Sequence, residues 1–111
     1  MRPGTPTRAM GLGLMGCMVA LLVGCNQDRA VATQRMNEGL AELQGGRTSA
    51  AVDKLEAATM KDPTYADPPY YLAQIYHQKY EQPEDAARDY AQALERDPGN
   101  AQFHYRYGTV L

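Results

Sequence analysis

Along most of the chain, apolar positions return every three or four residues. Met36, Leu40 and Leu43 make one such stripe, Ala51, Leu55 and Ala58 a second, and Leu72, Ile75 and Tyr76 a third. That spacing gathers each set on one face of an α-helix, and no stretch shows the two-residue alternation of a half-buried strand. Start and stop signals frame the stripes. Asp67 is placed to cap a helix that opens with Pro68 and Pro69, and Pro83 opens another with Glu84 and Asp85 in its first turn. Asn100 is placed to cap a last helix, while Asp62-Pro63 and Asp97-Pro98 close the ones before them. The pattern predicts an all-α chain with helices near 29–45, 48–61, 67–79, 83–96 and 100–111.

These helices repeat. The stretch from Ala51 to Pro63 returns as Ala86 to Pro98, with Ala51/Ala86, Leu55/Tyr90, Ala58/Ala93 and Asp62-Pro63/Asp97-Pro98 all 35 residues apart. Gly39 and Ala73 are 34 apart, and Gly108 follows Ala73 by 35. The one-residue slip therefore falls between Ala73 and Ala86, and the turn at Lys79 to Pro83 is its expected place. Small residues at 39, 73 and 108, and alanines at 51, 58, 86 and 93, are expected where helices approach closely. Leu55, Leu72, Ile75, Tyr76 and Tyr90 would fill the space between them.

The pattern changes upstream. Residues 9–24, AMGLGLMGCMVALLVG, carry no charge and follow a short positive segment with Arg2 and Arg8. Sixteen residues suit the apolar core of a secretory signal and fall short of the roughly 20 that span a bilayer as a helix. An uncleaved anchor helix is the other reading, weakened by glycines at 11, 13, 16 and 24. The run ends in Leu22-Val23-Gly24-Cys25, followed by polar Asn26, Gln27, Asp28 and Arg29. This ending resembles the bacterial lipobox. The resemblance implies cleavage before Cys25 and a lipid on its thiol, with residues 1–24 discarded and 25–31 a short linker. One acyl chain binds a membrane reversibly, whereas two or three make a lasting anchor. Leu14-Met15-Gly16-Cys17 is a second, weaker match, since a cut there would leave Met18 to Val23 as an apolar stub.

Charge and cysteines add limits. Cleavage at Cys25 leaves 87 residues with 9 basic and 13 acidic side chains, enough for one small domain. That acidic balance lacks the clustered Lys and Arg of a nucleic-acid surface, so no nucleic acid is expected. With Cys17 discarded and Cys25 acylated, no thiol remains for a disulfide, a metal or catalysis. A Cys17–Cys25 disulfide would sit inside the targeting segment. No phosphate-binding glycine loop, nucleophile elbow or zinc-binding His-Glu motif occurs, so no catalytic residue, metal or cofactor is expected beyond the covalent lipid. His77 and His104 stand singly, and the pairs Glu38/Glu42 and Asp85/Asp89 read as solvated charge on helix faces.

The repeat resembles the tetratricopeptide family, a helix–turn–helix of about 34 residues. The second unit carries the signature best, in Leu72-Ala73, Tyr76, Ala86, Tyr90, Ala93 and Pro98. The first has Gly39, Ala51, Leu55, Ala58 and Pro63 but puts Glu38 and Glu42 where the family has a large apolar residue and an aromatic. The third has Tyr107-Gly108. The likeness covers 32–111, with units near 32–65 and 66–100 and a partial one at 101–111. It implies an α-solenoid of about two and a half repeats whose first helices line a peptide-binding groove. Carried over residue by residue, the groove positions are Met36, Leu40 and Gln44, then Tyr70, Gln74 and His77, then Tyr105 and Thr109. The alternative for Leu40, Tyr70 and Tyr105 is burial as packing residues.

The function this implies is a membrane-anchored scaffold for a protein or peptide partner in the cell envelope. It is similar to the tetratricopeptide lipoproteins of pilus and secretin biogenesis and of outer-membrane assembly. An adaptor recruiting cell-wall hydrolases or synthases is the alternative, and a lipoprotein enzyme a third reading. Asn26 is not the Asp that resembles an inner-membrane retention signal, so the periplasmic face of the outer membrane is expected in a two-membrane cell. Phe103, Tyr105, Tyr107, Val110 and Leu111 crowd residues 100–111. That apolar edge implies docking on a partner or a second copy, or else a truncated longer array.

Overall fold

The computed structural model describes residues 27–111, so Cys17, Cys25 and the apolar run before them lie outside the described residues. Among the described residues there are five α-helices and no strand. They are α1 (27–44), α2 (Thr48–Lys61), α3 (Asp67–Gln78), α4 (Pro83–Arg96) and α5 (Ala101–Val110). Each helix packs on the next, α2 on α3, α3 on α4 and α4 on α5, in a stack of helical hairpins. The stripes and punctuation of the sequence thus gave each helix to within a residue or two.

The turns explain the slip in the repeat. Three residues join α1 to α2 and four join α3 to α4. In the first turn Gly46 takes the left-handed conformation (φ 80°), which costs glycine nothing, and its N–H donates to the Leu43 carbonyl at 3.0 Å. In the second, Glu81 takes that region at φ 54°, with the Gln82 N–H donating to the Tyr76 carbonyl at 2.8 Å. A side chain is strained there, so this turn is held by its hydrogen bonds and not by residue preference.

The caps hold with one exception. Asn100 Oδ1 accepts from the Phe103 N–H at 3.1 Å, and Pro83 starts α4 with Glu84 and Asp85 behind it. Asp67 does not cap α3. It is the first helical residue, and Ala66 precedes it in an already helical conformation. Pro68 and Pro69 have no N–H, so the first turn has few donors for a cap to satisfy, and Asp67 acts only through its charge at the helix start.

Two cores meet at α3. The first joins Ala32 and Met36 of α1 with Ala51, Leu55 and Ala58 of α2 and Leu72 and Ile75 of α3. The second joins Tyr70 and Ala73 of α3 with Ala86, Tyr90 and Ala93 of α4, Phe103 of α5 and Ala66. Tyr71 and Tyr76 pack against both. A Cβ on Gly39 would lie 3.1 Å from the Ala51 carbonyl, so glycine is what lets α1 close on α2. At the matching position Gly108 faces open space, because no helix covers it among the described residues.

α1 begins at residue 27, two residues ahead of the helix expected near 29–45, so the part of the expected 25–31 linker from residue 27 onward is helical. Arg29 secures this part. Its Nε donates to Asp62 Oδ2 at 2.6 Å, and its guanidinium lies 4.2 Å from the centre of the Tyr65 ring. Lys61 pairs with Asp28 at 3.3 Å. These contacts order the segment onto the α2–α3 turn.

Candidate functional site

The eight expected groove positions divide by burial. Met36 is a residue of the first core and Tyr70 of the second. The Tyr70 ring stacks on Phe103 with centroids 4.6 Å apart and tilts against Tyr90 at 5.9 Å. Neither side chain is open to a peptide, which corrects that expectation: α5 folds Phe103 over Tyr70, and α2 and α3 enclose Met36. Leu40 is half-buried and packs on the first core. Gln74 and His77 are half-buried on α3, and Gln74 Nε2 donates to the Tyr70 hydroxyl at 2.9 Å. Among the described residues the buried His77 Nδ1 has no hydrogen-bond partner. Gln44, Tyr105 and Thr109 are exposed, and Thr109 turns its hydroxyl back to the Arg106 carbonyl at 2.6 Å. The first helices therefore offer Gln44, Leu40, Gln74, His77, Tyr105 and Thr109, with Met36 and Tyr70 supporting them from beneath.

The apolar edge at 100–111 is also narrower than its composition implies. Phe103 is buried and Tyr107 and Val110 pack on the second core, which leaves Tyr105 and Leu111 exposed.

Sequence reasoning missed the other face. A cleft of about 260 Å³ opens between α2 and α4, with Glu56, Thr59 and Met60 on one wall and Arg88, Asp89 and Gln92 on the other. Leu72 of α3 forms its floor. Asp89 is buried, not solvated as expected, and burial pushes its carboxyl up to about 6 against a partial pull down from Arg88. The signal lay in the periodicity. Asp89 follows Ala86 by three residues and precedes Ala93 by four, which places it on the buried stripe of α4.

Glu38, Glu42 and Asp62 have charged partners. Glu38 accepts from Lys54 at 2.9 Å, which holds its carboxyl below the usual range, and Glu42 pairs with Arg47. Asp62 shows full satisfaction. Its Oδ1 accepts from the Thr64 hydroxyl at 2.6 Å and the Thr64 N–H at 3.0 Å, and Arg29 takes Oδ2. Thr64 first, then Arg29, hold this carboxyl down to about 2. Among the described residues no cluster of three His, Cys, Asp or Glu could hold a metal, and no helix is long and apolar enough to cross a membrane.

Comparison with known proteins adds no relative: no family model matches the chain, and no curated protein is found to be similar to it.

Proposed function

We propose that this chain is a membrane-anchored lipoprotein of tetratricopeptide type, acting as a protein–protein interaction scaffold in the bacterial cell envelope. One observation carries the reading most. The residues paired by the 35-residue offset, Ala51 with Ala86, Leu55 with Tyr90 and Ala58 with Ala93, are all fully buried at matching places in successive hairpins. A repeat kept in both sequence and packing is the property of an array, and arrays work by presenting side chains from successive helices to an extended partner. Lipid on Cys25 would hold that surface at a membrane. With α1 already helical at residue 27, little chain would separate lipid from fold.

Asn26 favours the periplasmic face of the outer membrane. Pilus or secretin assembly and outer-membrane assembly are the processes in which such a scaffold would serve. A binding role, with no chemistry of its own, is the reading favoured by the amide and aromatic character of Gln44, Gln74 and Tyr105.

Two measurements test this. Cys25→Ser protein should leave the membrane fraction, and persistence there would refute the anchor. Crosslinking of cells followed by pull-down should lose its partners on a Gln44→Ala/Tyr105→Ala change, which alters only exposed side chains. Identical partners with and without the change would refute the groove.

A further inference from the structure

The α2–α4 cleft contains a buried carboxylate whose ion-pair partner is a long contact to an exposed arginine. The Asp89 side chain is 8% exposed, and among the described residues Arg88 is the cation that pairs with it. Its nearest cation, Arg88 Nε, stands 3.6 Å away, beyond hydrogen-bond length. The Arg88 side chain is 64% exposed at the rim, and its Nη1 is committed to Asp85 at 3.0 Å. A buried carboxylate is normally surrounded by donors, as Asp62 is in this same protein.

Apart from Arg88, the one side-chain donor of the cleft with an uncommitted N–H is the Gln92 amide. Glu56 adds a second carboxylate from the α2 wall. The Thr59 hydroxyl spends its hydrogen on the Leu55 carbonyl at 2.9 Å, which leaves only lone pairs for a visitor. Beside these acceptors lie two apolar surfaces, the Leu72 floor and Met60, which is 75% exposed. A ligand that answers both needs a cationic donor on an apolar stem. The volume of about 260 Å³ is below the roughly 300–1,000 Å³ of pockets that enclose whole small molecules, so one side chain is the fitting size.

We propose that the cleft between α2 and α4 receives a lysine side chain of a protein partner, its ammonium between Asp89 and Glu56 and its methylenes along Met60 and Leu72. Lysine suits the site better than arginine. A compact ammonium directs three donors to acceptors on opposite walls, whereas a planar guanidinium pairs best with one carboxylate edge-on. Asp85 holds Arg88 Nη1 at the rim, which limits its competition for Asp89 to the longer Nε contact. The assignment stands on the fold and needs neither the lipid anchor nor the groove on the first helices.

Burial raises the Asp89 carboxyl to about 6, which leaves it mostly ionised at neutral pH and able to attract the ammonium. The groups around it are Glu56 on α2, Tyr76 on α3, and Asp85 and Arg88 on its own helix.

Methionine methyl NMR on the full chain in detergent micelles tests the proposal, with the Met60 signal assigned through Met60→Leu. Met36, buried in the first core, reports on folding. A Gly-Ser-Lys-Ser-Gly peptide at millimolar concentration should shift the Met60 methyl saturably and leave Met36 in place. The same peptide with acetyl-lysine should leave both unmoved. Asp89→Asn should weaken the lysine peptide by about tenfold or more, and Glu56→Gln should weaken it less. An unmoved Met60, equal shifts from the acetylated peptide, unchanged affinity in both variants, or an arginine peptide that binds as tightly would each overturn it. Should Asp89→Asn displace Met36, the exposed Glu56→Gln and the acetylated peptide decide the matter.

Discussion

At the scale of single residues, two buried aspartates push the stability of the protein in opposite directions with pH. Asp89 has a carboxyl at about 6 in the fold against an ordinary 3.8. Between pH 4 and 6 the folded state therefore holds a proton that the unfolded chain has released. Stability falls as pH rises through that window, and the cost, ~3 kcal/mol at most, persists above it. Asp62 sits at about 2, so its contribution is complete above pH 4 and is lost as pH falls toward 2. Urea unfolding at about pH 4.5 and 7.5 should show the wild type weaker at the higher pH, and Asp89→Asn should flatten that difference. An unchanged slope in the variant would mean that Asp89 is ordinarily solvated. Tyr90 permits a simpler check. Among the described residues its buried hydroxyl has no hydrogen-bond partner, so Tyr90→Phe should raise stability by about 1 kcal/mol in the same assay.

At the scale of helices, the two glycines of the repeat ought to behave differently. Gly39→Leu drives a side chain into the Ala51 carbonyl and Leu55 and should cost about 1–3 kcal/mol. Gly108→Leu meets nothing within 4 Å and should be neutral or stabilise by up to about 1 kcal/mol, since leucine favours helix over glycine. Equal losses in thermal unfolding would contradict the close approach of α1 to α2. Helix positions were legible because Pro, Gly and Asp mark where each one begins and ends, and the slip from 34 to 35 located the longer turn at 79–82. What periodicity does not reveal is which neighbour covers a given face. Tyr70 and Met36 lie on stripes that read equally as groove or core. Only the seating of Phe103 on Tyr70, and of α2 and α3 on Met36, decides for core. Asp89 was misread for the same reason, because its burial depends on α2 lying across from α4.

At the scale of the whole molecule, α3 is the helix on which both cores depend. It presents Leu72 and Ile75 to α1 and α2, and Tyr70 and Ala73 to α4 and α5. The end helices lack such double cover, and α5 buries a single side chain fully, Phe103. In a stack where each helix is stabilised by its neighbours, local opening should start at that end and reach α3 last. Hydrogen exchange should therefore protect α3 amides most and α5 amides least. Two truncations should then separate. Phe103→Ala removes the contact that fastens α5 to Tyr70, so protection should collapse in α5 while α2 keeps its own. Ile75→Ala should cost about 2–5 kcal/mol in the first core and, because α3 serves both cores, lower protection in α2 and α4 alike. If Phe103→Ala instead lowered every helix equally, the five helices would open as one unit, and the division into two cores hinged on α3 would carry no energetic meaning.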